Sequence, residues 1–255
     1  MKFIYTFILT LLCTGIVYLG FIFFSQVDDV KKPATPSTSK NDENDAVEKQ
    51  QSITQKKALK GSQEAMDVVL YNQMDAPKLY NGCEVTSLAM LLNYSGYDVT
   101  KNTLANRIAR VPLNYDNGLK GNPNDGFVGD MENGPGLGVY HGPIYDVAKK
   151  YAGDQVVDLT GKKIEKAIYQ QLENGYPVWV ITTSTFQKVD NMETWNTPNG
   201  KIDITFNEHS VVITGYDEDH VYLNNPYGQK NQKVDRKNFE ASWKQMGSQA
   251  IIIQS

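Results

Sequence analysis

A charge-free apolar run near the N-terminus divides the chain more sharply than any other feature of the sequence. Residues 3–24 read FIYTFILTLLCTGIVYLGFIFF, and a helix of 22 residues at about 1.5 Å each crosses a hydrocarbon core roughly 30 Å thick. A cleaved secretory signal is the alternative, but the following FFSQVDD lacks the small-residue cleavage site of such signals. We therefore expect residues 1–25 to form one transmembrane helix that anchors the protein, with secretion as the outcome if this segment is cleaved.

The charges that flank this run favour one orientation in the membrane. The N-terminal amine and Lys2 precede the run, whereas Asp28 and Asp29 follow it. Positively charged flanks tend to remain in the cytoplasm. We therefore expect a single-pass protein of the cell membrane whose larger part lies outside the cytoplasm.

The next segment, residues 26–65, is polar, mixed in charge and free of aromatic side chains. Such a segment cannot bury enough apolar surface to offset the entropy lost on ordering, so the sequence predicts a flexible linker. The remaining residues, 66–255, have the length of one compact domain.

The two halves of this domain differ in the spacing of their apolar residues. The first half has helical spacing in four segments, residues 85–92, 104–108, 144–151 and 164–172. Thr160 is expected to be the N-cap of the last segment and Asn174-Gly175 its stop signal. The second half has runs of β-branched and aromatic residues at 177–183, 209–216, 221–224 and 250–253. We expect an α+β fold in which an N-terminal helical part packs on a C-terminal antiparallel sheet, with a cleft between the two layers.

Composition and charge disfavour several classes of function. A net charge of −4 and a pI of about 5.4 provide no cationic field for a nucleic-acid backbone. Two cysteines and three histidines are too few for a thiolate zinc site or a disulfide framework, so we expect neither a metal nor an organic cofactor. The Asn- and Gly-rich segment 111–138 is expected to be a long functional loop. Its GPGLG lacks the GK[ST] ending of a phosphate-binding loop, which disfavours nucleotide binding.

Cys83 is the candidate nucleophile. An unpaired thiol in an exported domain risks oxidation, so its presence indicates either burial in the core or reactivity. It follows Asn81-Gly82, a turn signal, and begins an amphipathic run, which predicts a position on the first turn of a helix. The free N–H groups at a helix N-terminus favour a thiolate over a thiol. We therefore expect Cys83 to have a lowered pKa.

His209 is the best candidate for the acid and base that acyl transfer on a thiolate needs. It opens the predicted strand 209–216 and can therefore face a cleft. His220 follows three acidic residues in a predicted hairpin turn, which indicates a solvated position. His141 begins a predicted helix and is kept as an alternative base.

The imidazole must be oriented by a second group, and Asn225 is placed to do so. A tight hairpin at 217–219 would pair the two strands and bring Asn225 and His209 to the same rim of the sheet, with Asn224 on the opposite face. For the anionic intermediate, the N–H of Cys83 and the amide of Gln73, in the loop after a predicted strand at 67–71, are candidate donors. The simpler interpretation of Asn225 is that it belongs only to the turn before Pro226.

These segments together carry a resemblance to a known family. YNQMDAPKLYNGCEVTSLAMLLNYSG, EHSVVITGY and VYLNNPYG resemble the C39-like cysteine peptidases, relatives of the bacteriocin leader peptidases in the papain-like superfamily. The similarity runs over most of residues 68–253. It implies a papain-like fold with Cys83 as nucleophile, His209 as general base and acid, Gln73 at the oxyanion and Asn225 as the group that orients His209.

One departure from the family bears on activity. The family usually has aspartate before the proline, whereas this chain has Asn225, which accepts a hydrogen bond from the ring but cannot stabilise an imidazolium by charge. The resemblance therefore implies a membrane-anchored, extracytoplasmic cysteine peptidase that acts on a peptide or protein. Two alternatives stay open: a non-catalytic module that binds a peptide or cell-wall ligand, and a peptidoglycan endopeptidase or amidase acting on cell-wall peptide.

Overall fold

The structure of the protein is a computed structural model that describes residues 61–254. Its strands, in chain order, are β1 (Arg110–Val111), β2 (Phe127–Val128), β3 (Val156–Asp158), β4 (Val178–Thr183), β5 (Glu193–Thr197), β6 (Gly200–Ile204), β7 (Glu208–Tyr216), β8 (His220–Asn225), β9 (Gln229–Asp235) and β10 (Ala250–Ile253). Six of them form one antiparallel sheet in the order β3-β10-β4-β7-β8-β9. This sheet and the helices packed on it confirm the predicted α+β class.

The helices of the described chain are α1 (Cys83–Tyr94), α2 (Lys101–Ala105), α3 (His141–Ala152), α4 (Gln170–Glu173) and α5 (Arg236–Gln245). A π-helical turn, Glu165–Tyr169, leads into α4. Helix α5 lies in the half of the chain that the sequence pattern assigns to strands alone, so helices and strands are less segregated than expected.

Helix α1 is the central helix of the domain. Every residue from Cys83 to Leu92 is buried, because the helix is covered by the sheet on one side and by helices on the other. Burial of each large apolar side chain here contributes about 1.5–3 kcal/mol to stability. Two polar contacts fix the helix on the sheet: Ser87 Oγ donates to the carbonyl of Ser210 at 3.1 Å, and Trp179 Nε1 donates to the carbonyl of Glu84 at 3.0 Å.

Strands β7 and β8 form the predicted hairpin, which sets the geometry of the site. Tyr216 pairs with Val221 next to the turn, and Val212 pairs with Asn224 further along. Between these pairs the register shifts by one residue, so one residue of β7 is left unpaired as a bulge. Continued past Val212, this register brings His209 opposite Tyr227 rather than opposite Asn225.

Two local predictions are wrong. Thr160 caps no helix, since its Oγ1 accepts from the N–H of Ala250 at 3.2 Å and the helical turn begins at Glu165. Residues 67–71 form no strand. Segment 111–138 is mostly loop, as expected, with short ordered parts where β1 pairs with β2 in parallel and Gly129 bridges to Gly136.

The N-terminal predictions fall mostly outside the described residues. The expected anchor, residues 1–25, and most of the expected linker, 26–65, lie there. At the end of the linker, Gln63 exchanges two backbone hydrogen bonds of 2.8 Å with Tyr216, so the described chain joins the sheet before residue 66. Between residues 61 and 254, no helix is both long enough and apolar enough to cross a membrane.

Candidate active site

Cys83 is the first residue of α1, as predicted, and Gly82 allows it to lie there. A Cβ atom on Gly82 would come within 2.5 Å of the Leu79 Cβ, so only glycine permits the chain to enter the helix so close to Leu79. The thiol is buried, with 7% of the residue exposed.

The surroundings of the thiol are polar and acidic. Cys83 Sγ donates to Glu84 Oε2 at 3.3 Å, and the backbone N–H of Ser210 donates to the sulfur. Burial raises the pKa of the Cys83 thiol well above 9.0, and the nearby carboxylates of Glu84 and Glu208 raise it further. The expected lowering of this pKa by the helix N-terminus is therefore wrong, because desolvation and two acidic neighbours outweigh the helix dipole.

Glu84 and Glu208 form a buried acidic pair beside the thiol. Glu84 has no exposed surface, and its Oε1 accepts from the N–H of Val139 at 2.6 Å. Glu208 is also buried, and within the described residues neither of its carboxyl oxygens has a hydrogen-bond donor. Burial raises the pKa of Glu84 to about 7, and burial and the charge of Glu84 raise that of Glu208 well above 4.5.

Gly138 shows how tightly the two carboxyl groups are packed. A Cβ atom at this position would lie within 2.5 Å of Glu84 Oε1 and still closer to Glu208 Oε2. The residue has φ of +143°, a conformation that favours glycine. The backbone after segment 111–138 therefore closes directly over the acidic pair.

His209 and Asn225 form the second part of the site, at the ends of β7 and β8. His209 Nε2 lies 3.0 Å from Asn225 Oδ1. The backbone N–H of Tyr227 also donates to Asn225 Oδ1, at 3.1 Å, and a backbone N–H can only donate, so the orientation of the amide is fixed. Nε2 must therefore carry the ring proton, which leaves Nδ1 of the neutral imidazole as the free base.

Two further contacts hold this pair. Asn225 Nδ2 donates to Gln232 Oε1 at 2.9 Å, from β9. The ring of Tyr227 stacks on the imidazole, with centroids 4.8 Å apart and planes at 9°. The imidazole is 1% exposed, and this burial lowers the pKa of His209 to about 4. His209 is consequently neutral at physiological pH.

The two parts of the site meet at Ser210, whose N–H contacts the sulfur and which directly follows His209. Within the described residues, however, no hydrogen bond joins Cys83 Sγ to His209, and the thiol instead donates to Glu84.

Gln73 lies near the start of α1, but its side chain is engaged. Its Nε2 donates to the carbonyls of Tyr80 at 2.9 Å and Leu79 at 3.3 Å, and the residue is 1% exposed. Lys101 Nζ holds the same loop through the carbonyls of Gln73, Asp75 and Pro77. The oxyanion role of Gln73 stays a prediction that requires its amide to release one of these carbonyls.

The other histidines lie apart from the thiol. His141 Nδ1 pairs with Asp158 at 2.8 Å, and His220 Nδ1 pairs with Asp217 at 3.0 Å beside the hairpin turn. Neither has a contact with Cys83 or Asn225 among the described residues, so the geometry favours His209 over His141 as the base.

One set of metal-type ligand atoms is present in residues 61–254, from Cys83, Glu84 and Glu208, and these atoms lie within 4.8 Å of one another. Because the set includes the candidate nucleophile, and because two of its members are bonded through a proton, we assign it to proton chemistry rather than to a cation.

Four residues of this site were not predicted from the sequence: Glu84, Glu208, Tyr227 and Gln232. A signal for two of them was available, since Glu84 directly follows Cys83 and Glu208 directly precedes His209. An acidic residue adjacent to each reactive residue indicates two carboxyl groups near one thiol.

A cysteine at the head of a buried helix, packed on an antiparallel sheet that carries a histidine and an asparagine at its rim, is the arrangement that the resemblance to the C39-like peptidases predicts. A sequence model described as the Peptidase C39 like family matches residues 65–251. The chain belongs to this family.

Two relatives have most of their length in common with this chain. The protein YvpB of Bacillus subtilis strain 168, described only as uncharacterized, is 64% identical over 245 residues, which are 95% of this chain and 97% of YvpB. A crystal structure of a candidate C39-like peptidase from Bacillus anthracis matches with a TM-score of 0.71 and 47% identity, over 74% of this chain and 95% of that one. The family and this structure support the peptidase-like fold that the sequence predicts.

Proposed function

We propose that the protein is a cysteine peptidase that hydrolyses a peptide amide bond with Cys83, His209 and Asn225. The observation that carries this proposal is the hydrogen bond between Asn225 Oδ1 and His209 Nε2, with the amide orientation fixed by the N–H of Tyr227. This bond selects the tautomer whose Nδ1 can exchange protons, and it needs no movement to form.

The reaction proceeds by acyl transfer to sulfur. The thiolate of Cys83 attacks the substrate carbonyl, and the N–H of Cys83, with the amide of Gln73 once it is released from its carbonyls, stabilises the oxyanion. His209 Nδ1, which is unprotonated in the resting protein, takes up a proton and delivers it to the leaving amine, and afterwards accepts a proton from the water that hydrolyses the thioester. Asn225 keeps the ring in one orientation throughout.

The membrane anchor and the substrate belong to the same proposal. The apolar run 3–24 holds the protein at the cell membrane with the peptidase outside the cytoplasm, and the substrate is a peptide or protein in that compartment. Cell-wall peptide is a substrate of this kind, and its cleavage would make the protein a peptidoglycan endopeptidase.

The decisive experiment compares the full-length protein with its Cys83→Ala variant, both purified in detergent. The substrates are an unfolded fluorogenic polypeptide and purified peptidoglycan. We expect the wild type to cleave at least one of them and the variant to cleave neither. Equal turnover by the two proteins would falsify the peptidase proposal.

A non-catalytic binding module on the same fold is the second candidate, and the raised pKa of Cys83 favours it. In that case iodoacetamide would modify Cys83 more slowly at neutral pH than it modifies a free thiol, and neither substrate would be cut. A binder would still retain a peptide or peptidoglycan in a pull-down with the purified protein, equally well with the wild type and with Cys83→Ala.

A further inference from the structure

The proton of the Cys83 thiol has an acceptor in this structure, and that acceptor is Glu84. The donor sulfur and Glu84 Oε2 are 3.3 Å apart, whereas no hydrogen bond connects the sulfur to His209 within the described residues. The imidazole is turned to Asn225 through Nε2. A group that already shares the proton needs no rearrangement to take it.

Two hydrogen bonds orient the carboxyl group of Glu84 so that it can accept the thiol proton. Its Oε1 is fixed by the N–H of Val139, which leaves Oε2 directed at the thiol. Gly138 leaves room for this carboxyl group, since a Cβ atom there would lie within 2.5 Å of Glu84 Oε1. The carboxyl group is therefore fixed at one end by a backbone donor and open at the other end to the sulfur.

Glu208 determines how much charge the cluster carries. Its two carboxyl oxygens are buried and lack a donor, and they lie within reach of Glu84. Two carboxylates so close together cannot both ionise easily, so the pair retains a proton, which lies on Glu208 because burial and the charge of Glu84 raise the pKa of that carboxyl group. The other titratable groups that face the cluster are the thiol and the phenols of Tyr227 and Tyr140, whose pKa values are raised by burial and further by the charge of the cluster.

We propose that Glu84 is the catalytic base that removes the proton from the Cys83 thiol, and that Glu208 is a positioning residue that holds the proton of the carboxyl pair, so that its one negative charge lies on Glu84. The inference rests on the proposed function. In acylation the Sγ–H bond breaks, its proton moves to Glu84 Oε2, and the sulfur electron pair forms the bond to the carbonyl carbon. The leaving amine takes a solvent proton delivered by His209. In deacylation His209 passes a proton from the attacking water to solvent, and Glu84 returns its proton to the sulfur.

The pKa values support Glu84, rather than His209, as the base for the thiol proton. A base is most effective when its pKa lies near the working pH. Burial raises the pKa of Glu84 to about 7, whereas burial lowers that of His209 to about 4. Of the two groups, Glu84 is the one matched to proton abstraction near neutral pH.

The test is the pH dependence of iodoacetamide alkylation at Cys83, measured on the full-length protein. If Glu84 takes the proton, the wild-type rate rises as Glu84 ionises near pH 7 and then reaches a plateau, before rising again when the thiol itself ionises. Glu84→Gln removes the first rise and leaves a single rise at high pH. Turnover by Glu84→Gln falls by about 10²- to 10⁴-fold, the usual contribution of a general base.

Glu208→Gln is the matched control, because it removes an equally buried carboxyl group that does not contact the sulfur. We expect it to keep the first rise, because Glu208 is protonated when Glu84 ionises and its replacement removes no charge, with turnover reduced less than about tenfold. Should Glu84→Gln not fold, as judged by thermal unfolding, Glu84→Asp serves instead: it retains the rise near neutral pH but withdraws the carboxylate, so turnover falls by about tenfold or more.

Two outcomes overturn the inference. One is a first rise that persists in Glu84→Gln but disappears in His209→Ala, which would assign the proton to the imidazole. The other is faster turnover in Glu84→Gln, which would mean that Glu84 only suppresses the thiolate. In either case Cys83→Ala remains inactive, whereas turnover by Cys83→Ala would instead refute the proposed function itself.

Discussion

The two halves of the candidate site differ in how completely their polar groups are paired. At the rim of the sheet, the side-chain groups of Asn225 are paired with His209, Gln232 and the N–H of Tyr227. At the head of α1, a buried thiol and two buried carboxyl groups lie together, and Glu208 has no donor for either oxygen. One half is an ordered network, and the other is a cluster of acids that repel one another.

This difference indicates that the two halves have different tasks. A fully paired network holds an imidazole in one tautomer and orientation, which is useful to a group that must act repeatedly. An unpaired acidic cluster costs stability, so its retention is typical of a functional site where protonation must change. In the proposed reaction the paired network therefore orients His209 for its proton transfers, and the acidic cluster acts on the proton of the thiol.

Among the variants of the two halves, substitution of His209 is expected to have the largest effect on turnover. We expect His209→Ala to reduce turnover by about 10²- to 10⁴-fold, because the leaving amine loses its acid and water loses its base. Measured alongside by iodoacetamide, the rise in Cys83 reactivity near neutral pH should persist, since it belongs to the other half of the site. A variant that keeps turnover within twofold of wild type would show that the ordered network does not serve catalysis.

Substitutions of Asn225 distinguish the effect of orienting the imidazole of His209 from the effect of a negative charge beside it. Asn225→Ala should lower kcat/KM by about 10- to 100-fold, because a hydrogen bond to a group that becomes charged contributes about 1.5–3 kcal/mol. Asn225→Asp restores the acceptor and adds a charge, so its kcat/KM should equal or exceed that of the wild type. If Asp and Ala are equally inactive, the hydrogen bond to His209 is not what the reaction needs.

The acidic cluster of Cys83, Glu84 and Glu208 is best tested through the pH dependence of the free energy of unfolding. Because the folded-state pKa of Glu208 lies well above 4.5, the folded protein binds more protons than the unfolded chain above that pH, and stability is lost as pH rises through the raised pKa. Glu208→Gln removes this loss. In urea unfolding it should be more stable than wild type at pH 8, because glutamine has no proton to lose, by at least about 1.4 kcal/mol, the equivalent of one unit of raised pKa, and equally stable at pH 4.5. A destabilised variant at pH 8 would mean that Glu208 has a donor.

Gln232 gives the smallest expected effect. Gln232→Leu removes the acceptor of Asn225 Nδ2, and a net hydrogen bond contributes about 0.5–1.5 kcal/mol, so kcat should fall by about 2- to 10-fold. The change should appear in kcat rather than in KM, because Gln232 acts on His209 only through Asn225. A change confined to KM would place Gln232 at the substrate instead.

The parts of the fold with strong periodic patterns were predictable from the sequence. Helix α1, strands β4, β7, β8 and β10 and the β7–β8 turn were all predicted, because their apolar residues face one continuous core. Strand β9 was not, since QKNQKVD is an edge strand with mostly exposed side chains and shows no alternation. Helix α5 was also not predicted, because RKNFEASWKQ buries only Phe239, Ser242 and Trp243 and so has few apolar positions at helical spacing.

The candidate site divides in the same way. Cys83, His209 and Asn225 could be named from helix and strand ends, and the hairpin indicated that the last two lie near each other. The charge state of the thiol could not be predicted from the sequence, because it depends on Glu208. This residue is 125 residues from Cys83 in the chain and lies near it only in the fold. A helix N-terminus favours a thiolate only where solvent or positive charge accompanies it.

Val139 and Gly138 give the segment 111–138 a direct connection to the reactive sulfur. The same stretch of backbone that leaves this segment holds one oxygen of Glu84 and covers Glu208. If the proposed function holds, residues of this loop that contact substrate are joined to the group that accepts the thiol proton, so changes made in the loop for a new substrate would also change the reactivity of Cys83.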